Sequence, residues 1–344
     1  VSGLRYHGLR VGAVIEESAD ARSLHLDVPP ELSEAFRYRC GQFVTLRLPC
    51  DGRTLLRCYS MSSAPALDQG LRVTVKRVRD GRGSNWICDH VEPGDLLEVM
   101  PPAGVFTPAA LDRDVLLFAG GSGITPVLSI LRSVLAAGLA RACLVYANRD
   151  RQSVIFREAL DALAAAHPER LQVIHLLDAE HGVPTAPRLA ELAGPWRHAE
   201  AFICGPGPFM DAAATALRQA GMPETQVHIE RFVSLPDEDA APLHAPAPPG
   251  GVESAELEIV LDGVSHHIPC GGDETLLAAA ARAGVTLPHS CQAGMCAACM
   301  CQVVEGSVHL RHNDVLDQKD LARAWTLSCQ AVPLTPRVRV KFPE

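Results

Sequence analysis

The chain has 344 residues, too long for one typical domain and suited to two or three. Its 31 Lys and Arg against 40 Asp and Glu leave a formal charge of −9, which excludes broad nucleic-acid binding, a function that needs a basic face. With 47% hydrophobic and 21% charged residues it reads as a globular chain; no apolar run reaches the length of a bilayer, so no membrane span and a cytoplasmic place are expected.

Residues 1–108 are predicted to form an antiparallel β-barrel. Short alternating strands at 24–28, 43–48 and 71–77 are separated by turn signals such as Asp51-Gly52 and Pro93-Gly94-Asp95. Two segments here carry chemistry. Arg57-Cys58-Tyr59-Ser60-Met61-Ser62-Ser63 offers a guanidinium for a pyrophosphate, a ring to lie on a flat cofactor and a hydroxyl for a ring nitrogen. Read alone it is only a strand. Gly81-Arg82-Gly83-Ser84-Asn85-Trp86 opens a short helix whose unpaired N–H groups suit a diphosphate. The two together make a flavin site.

Residues 109–233 change texture. Apolar strands at 115–119, 142–147, 171–176 and 201–204 alternate with helical patterns at 126–137, 155–166 and 209–220, an order that predicts a parallel sheet covered on both faces. Gly120-Gly121-Ser122-Gly123-Ile124-Thr125 lies between strand and helix, the anion-binding arrangement of such sheets. It is neither the G-x-G-x-x-G fingerprint nor a P-loop, since no Lys follows the last glycine. Ile203-Cys204-Gly205-Pro206-Gly207 repeats the strand-to-helix design. A lone cysteine after a strand is usually structural; at the mouth of this sheet Cys204 can instead face a substrate ring. Asn148, Arg149, Asp150 and Arg151 bear on the choice between NADH and NADPH: an arginine suits a 2′-phosphate, Asp150 repels it, or the loop is simply charged and solvated.

Residues 234–254 are rich in Pro and acidic residues and read as a linker to a last module, 255–344. That module holds Cys291, Cys296 and Cys299 in C-x4-C-x2-C spacing, with Cys329 far behind, the plant-type pattern for a [2Fe–2S] cluster. Ala293, Gly294, Ala297 and Ala298 let the backbone wrap a cluster closely. A zinc site would call for two separated Cys pairs, which the sequence lacks. Cys301 is expected to pack nearby rather than ligate, and the scattered cysteines are expected in cores.

Taken in order, these motifs resemble the ferredoxin–NADP reductase superfamily over essentially the whole chain, with a β-grasp (α+β) ferredoxin domain at the end. The resemblance implies that Arg57, Tyr59, Ser60, Val75, Gly83 and Ser84 hold FAD. It places Gly120, Gly121, Gly123, Thr125, Cys204, Gly205 and Pro206 on the nicotinamide nucleotide and Phe232 stacked over the flavin, with Ser60, Thr125, Cys204 and Phe232 nearest the reacting atoms. Cys291, Cys296, Cys299 and Cys329 would hold the cluster. One departure is Cys40, where relatives carry a Pro before Gly-Gln-Phe; its loss is expected to loosen that turn. The tail Asn313-Asp314-Val315-Leu316-Asp317-Gln318 and Leu327-Ser328-Cys329-Gln330 is similar to reductases of oxygenases, the steroid 9α-hydroxylase kind nearer than the phenylacetyl-CoA epoxidase kind. The implied route runs from NAD(P)H, NADH favoured, through FAD and the cluster to a separate terminal oxygenase. A redox-sensing subunit without its own nicotinamide turnover is the competing expectation.

Overall fold

The computed structural model describes residues 6–50, 52–232, 251–289, 292, 294, 297–313, 315–316 and 318–343. The chain separates into two units, His7–Phe232 and the part C-terminal to it.

The first unit opens with strands β1 (His7–Ser18), β2 (Ala21–Asp27), β3 (Phe43–Cys50), β4 (Arg53–Ser60), β5 (Leu71–Lys76) and β6 (Leu96–Val99). They pair antiparallel in the order β4-β3-β6-β1-β2-β5. The two edge strands meet where Met61 bridges Val73 and the Ser62 N–H donates to the Arg72 carbonyl at 2.7 Å, which closes the expected barrel. Period-two alternation puts Leu24, Leu26, Leu46, Val73 and Val75 inside, and helix α1 (Arg82–His90) adds Ile87 and Cys88 to that core. The turn at Cys40 is not loose: Gln42 accepts from the Arg39 N–H at 2.8 Å through its side chain, and the Cys40 side chain is buried.

The parallel sheet follows, built from β7 (Val115–Gly120), α2 (Ile124–Ala137), β8 (Ala142–Asn148), α3 (Arg157–Ala166), β9 (Leu171–Leu177), α4 (Asp178–His181), α5 (Ala186–Ala193), β10 (Glu200–Cys204), α6 (Gly207–Gln219) and β11 (Val227–Glu230). Every residue of β7 and β8 is buried, because helices cover both faces and no alternation is needed. Strand order is β11-β10-β7-β8-β9, so the connections run in opposite directions from the boundary between β7 and β10. Ligands of such sheets bind outside the carboxyl ends at that switch point. The barrel grips this layer through Ser129, whose hydroxyl donates to the Ser63 carbonyl at 2.6 Å, and through the Arg132–Asp68 ion pair.

The second unit holds β12 (Ser254–Leu261), β13 (Val264–Gly271), α7 (Leu276–Arg282), β14 (Met300–Glu305), β15 (Val308–Leu310), α8 (Gln318–Ala322), β16 (Trp325–Leu327), β17 (Ala331–Pro333) and β18 (Arg337–Lys341). A mixed sheet runs β13-β12-β18-β14-β16, with β12 and β18 parallel and the rest antiparallel. Thr275 caps α7 by accepting from the Ala278 N–H at 3.2 Å, and Leu276, Ala279 and Ala280 press that helix into the core. Most of the expected linker, residues 234–250, lies outside the described residues. No helix among the described residues is long and apolar enough to cross a membrane.

Candidate functional site

Strand β4 delivers Arg57, Tyr59 and Ser60 to the rim of the barrel; Ser60 is buried, and burial pushes the Tyr59 hydroxyl well above its usual range. Facing them, α1 begins at Gly81 with no side chain capping its first turn, so its N–H groups keep donor capacity for an anion. Gly83 is required there. A Cβ on it would come within 2.9 Å of the Arg57 Cγ, so glycine lets the guanidinium stem cross the helix start. Ser84 turns inward and accepts from the Val78 N–H at 3.1 Å, which fixes the loop, while Val75 lies fully buried on β5. An arginine laid over an uncapped helix N-terminus is a diphosphate cradle, and these residues fit FAD. The last serine of the motif does structural work instead: Ser63 accepts from the Tyr38 hydroxyl at 2.7 Å and carries the bond to α2.

The second half of the site sits at the switch point. Gly120 and Gly205 end adjacent parallel strands and pack backbone on backbone: a Cβ on Gly205 would lie 2.9 Å from the Gly120 Cα and N. Gly123 is tighter still, its Cβ position being 2.1 Å from the Cys204 carbonyl oxygen. Gly121 turns through φ +52°, and the buried Tyr146 hydroxyl on β8 donates to its carbonyl at 3.0 Å. Thr125 donates to the Ser122 carbonyl at 3.1 Å, and Pro206 starts α6. Such closeness brings two sets of loop N–H groups to one sheet edge, which fits a nicotinamide nucleotide's phosphates. Phe232, just beyond β11, is 47% exposed.

Sequence reading gave no role to Glu230. It is aligned with Cys204 in the parallel β10–β11 pair. Burial pushes its carboxyl up to about 7, while burial and then the Glu230 charge hold the Cys204 thiol far above its ordinary range. The signal that would have found it is a carboxylate closing the last strand of the parallel sheet, Val227-His228-Ile229-Glu230. The folded state therefore favours the protonated acid, and Glu230 costs stability as pH rises from about 4.5 through about 7. Glu230→Gln should match wild type at pH 4 and exceed it at pH 8 by on the order of 1–3 kcal/mol, at about 1.4 kcal/mol per pKa unit. Thermal unfolding of FAD-loaded protein across that range checks this; parallel curves at both ends would refute it.

In the second unit, Cys291 and Cys296 lie outside the described residues, whereas Cys299 and Cys329 are buried. The Ser328 N–H donates to the Cys299 carbonyl at 3.0 Å, and the Gln330 side chain donates to the Gln292 carbonyl at 2.8 Å. These bonds tie the segment of Cys329 to Gln292 and Cys299. Ala297 at φ +53° and Gly294 at φ +74° wrap that loop, and a Cβ on Gly294 would meet the His312 carbonyl at 2.5 Å. Thiol donors on a backbone this closely wound fit an iron–sulfur cluster. Cys301 is fully buried on β14, paired with Thr326 of β16, and burial pushes its thiol well up.

The comparisons with known proteins agree with this architecture. Residues 9–107 match the family model for an oxidoreductase FAD-binding domain, 117–215 that for an oxidoreductase NAD-binding domain, and 259–334 that for a 2Fe-2S iron-sulfur cluster binding domain. The chain is 49% identical to the ferredoxin reductase component of 3-ketosteroid-9-alpha-monooxygenase from Rhodococcus rhodochrous, covering 97% of this chain and 96% of that protein. It is 36% identical to a component of the 1,2-phenylacetyl-CoA epoxidase of Escherichia coli, covering 98% of each. Among solved structures, phthalate dioxygenase reductase matches with a TM-score of 0.59 at 23% identity over 98% of both chains, a likeness of fold.

Proposed function

The chain belongs to the family of ferredoxin reductase components of multicomponent oxygenases, and from that premise we propose that it carries electrons from NADH to a Rieske-type oxygenase that hydroxylates a 3-ketosteroid. The observation that carries the steroid assignment is the 49% identity along nearly the full length of the Rhodococcus reductase component. The epoxidase relative, at 36%, supports the second reading, an aryl- or acyl-CoA acceptor system. A sensor subunit without nicotinamide turnover fits poorly with two glycine loops packed this closely at the sheet edge.

Held there, FAD would supply the link between a two-electron hydride donor and the one-electron chemistry of a [2Fe–2S] cluster. The chain supplies placement and proton control. Arg57 and the start of α1 hold the diphosphate, and Tyr59 and Ser60 border the ring. The loops at Gly120–Gly123 and Gly205–Pro206, with Thr125, would hold the nucleotide and restrict its orientation for hydride transfer. Cys204, fully buried at the end of β10, stays a neutral thiol, and burial pushes the neighbouring Glu230 carboxyl up to about 7. Phe232, exposed at the end of this unit, would stack over the flavin. Cys291, Cys296, Cys299 and Cys329 hold the cluster. We divide the chain into 1–108 for FAD, 109–233 for nucleotide, 234–254 as linker and 255–344 for the cluster. We assign the chain to the cytoplasm, the compartment whose reducing conditions suit a loop of cluster-binding thiolates.

Reconstitution with purified oxygenase components tests the acceptor. NADH-dependent hydroxylation of a 3-ketosteroid in the presence of a 3-ketosteroid 9α-hydroxylase oxygenase is expected. Support of an acyl-CoA epoxidase alone would move the assignment to the second reading.

A further inference from the structure

We propose that Asp20, on the β1–β2 turn of the barrel, makes the enzyme select NADH by withholding Lys76 and Arg149 from the 2′-phosphate of NADPH; this rests on the NADH reading above. The carboxylate is firmly placed. Its backbone carbonyl accepts from the Arg77 N–H at 2.7 Å, and its Oδ1 accepts from the Ser18 hydroxyl at 2.9 Å. Oδ2 is shared between two cations, the Arg149 guanidinium at 3.2 Å and the Lys76 ammonium at 3.7 Å.

Both cations stand where a dinucleotide would need them. The Lys76 Nζ is 3.7 Å from the position of a Cβ on Gly121, so it overhangs the glycine loop. Arg149 directly follows β8, the neighbour of β7, at the carboxyl edge where the adenosine ribose of a bound dinucleotide lies. The remaining charges of the loop are also matched. Arg151 pairs with Glu180 at 3.1 Å, and the exposed Asp150 accepts from the Ser153 N–H and hydroxyl, each at 2.9 Å. A 2′-phosphate needs unmatched positive charge and meets a standing carboxylate, whereas a 2′-hydroxyl needs neither. As stability devices these exposed pairs count for little; their effect is on which charge can approach.

Steady-state reduction of ferricyanide by NADH and by NADPH, with FAD content measured in parallel, tests this. Asp20→Asn keeps an acceptor for Ser18 and removes the charge. It should raise kcat/KM for NADPH by about tenfold and change that for NADH by less than about threefold. Adding Arg149→Gln to Asp20→Asn should abolish most of the gain. A wild-type preference for NADH that Asp20→Asn leaves unmoved, with FAD intact, overturns the role of Asp20. Relief by Glu180→Gln alone also overturns it, placing selection at Arg151. A wild-type preference for NADPH instead refutes the NADH reading itself.

Discussion

Cys329→Ser is expected to abolish the [2Fe–2S] signal and to slow NADH-driven reduction of a one-electron protein acceptor by more than about a hundredfold, since even outer-shell changes at metal sites cost about 10–100-fold. Flavin reduction by NADH should persist, because the FAD and nucleotide residues belong to the other unit. Cys329 is buried and tied to the Cys299 segment by the bond from Ser328, so the substitution removes a donor at a fixed place rather than one that a neighbour replaces. Cys301→Ser supplies the contrast. Its thiol sits within the sheet core opposite Thr326, and the cluster should survive its loss. Iron and sulfide content with low-temperature EPR reads both variants. A full cluster in Cys329→Ser, or its loss only in Cys301→Ser, would reassign the fourth ligand.

The second large effect is expected at Gly123. A methyl group there would lie 2.1 Å from the Cys204 oxygen, 2.4 Å from its carbonyl carbon and 2.7 Å from the Gly205 nitrogen. All three are backbone atoms, which cannot rotate away as a side chain end does. Gly123→Ala must therefore push the β10 loop from the β7 loop. A displacement of about 1 Å at a reacting centre costs about a hundredfold, so kcat/KM for NADH should fall by at least that factor. FAD should stay bound, since Arg57 and α1 are untouched, and dithionite should still reduce it. Stopped-flow flavin reduction separates the two. Unchanged reduction by NADH would mean that the glycine loops do not form the nucleotide site.

Much of this was legible along the chain because the signals are local. The strand at 71–77 appears as β5 over Leu71–Lys76, and the helix expected at 126–137 begins two residues earlier at Ile124. Glycine loops between apolar strand and helix announce themselves, as do three cysteines within nine residues. What stayed hidden depends on residues brought together from afar. Strand β1 was not read, because its partly exposed, charge-bearing sequence hides the alternation. Glu230 looked like any charge before Arg231 until β11 aligned it with Cys204. Asp20 and Arg149 are 129 positions apart, and only the packing of barrel on sheet makes them a pair. Ser63 read as part of a flavin motif and proved to be a fastener between the two layers.

Anaerobic titration of the FAD- and cluster-loaded protein with NADH, followed by visible absorption and low-temperature EPR, tests the central claim that one chain loads its own cluster from a nicotinamide. Flavin bleaching together with a rhombic [2Fe–2S] signal is the predicted result. A bleached flavin beside a demonstrably present cluster that stays oxidised would contradict it.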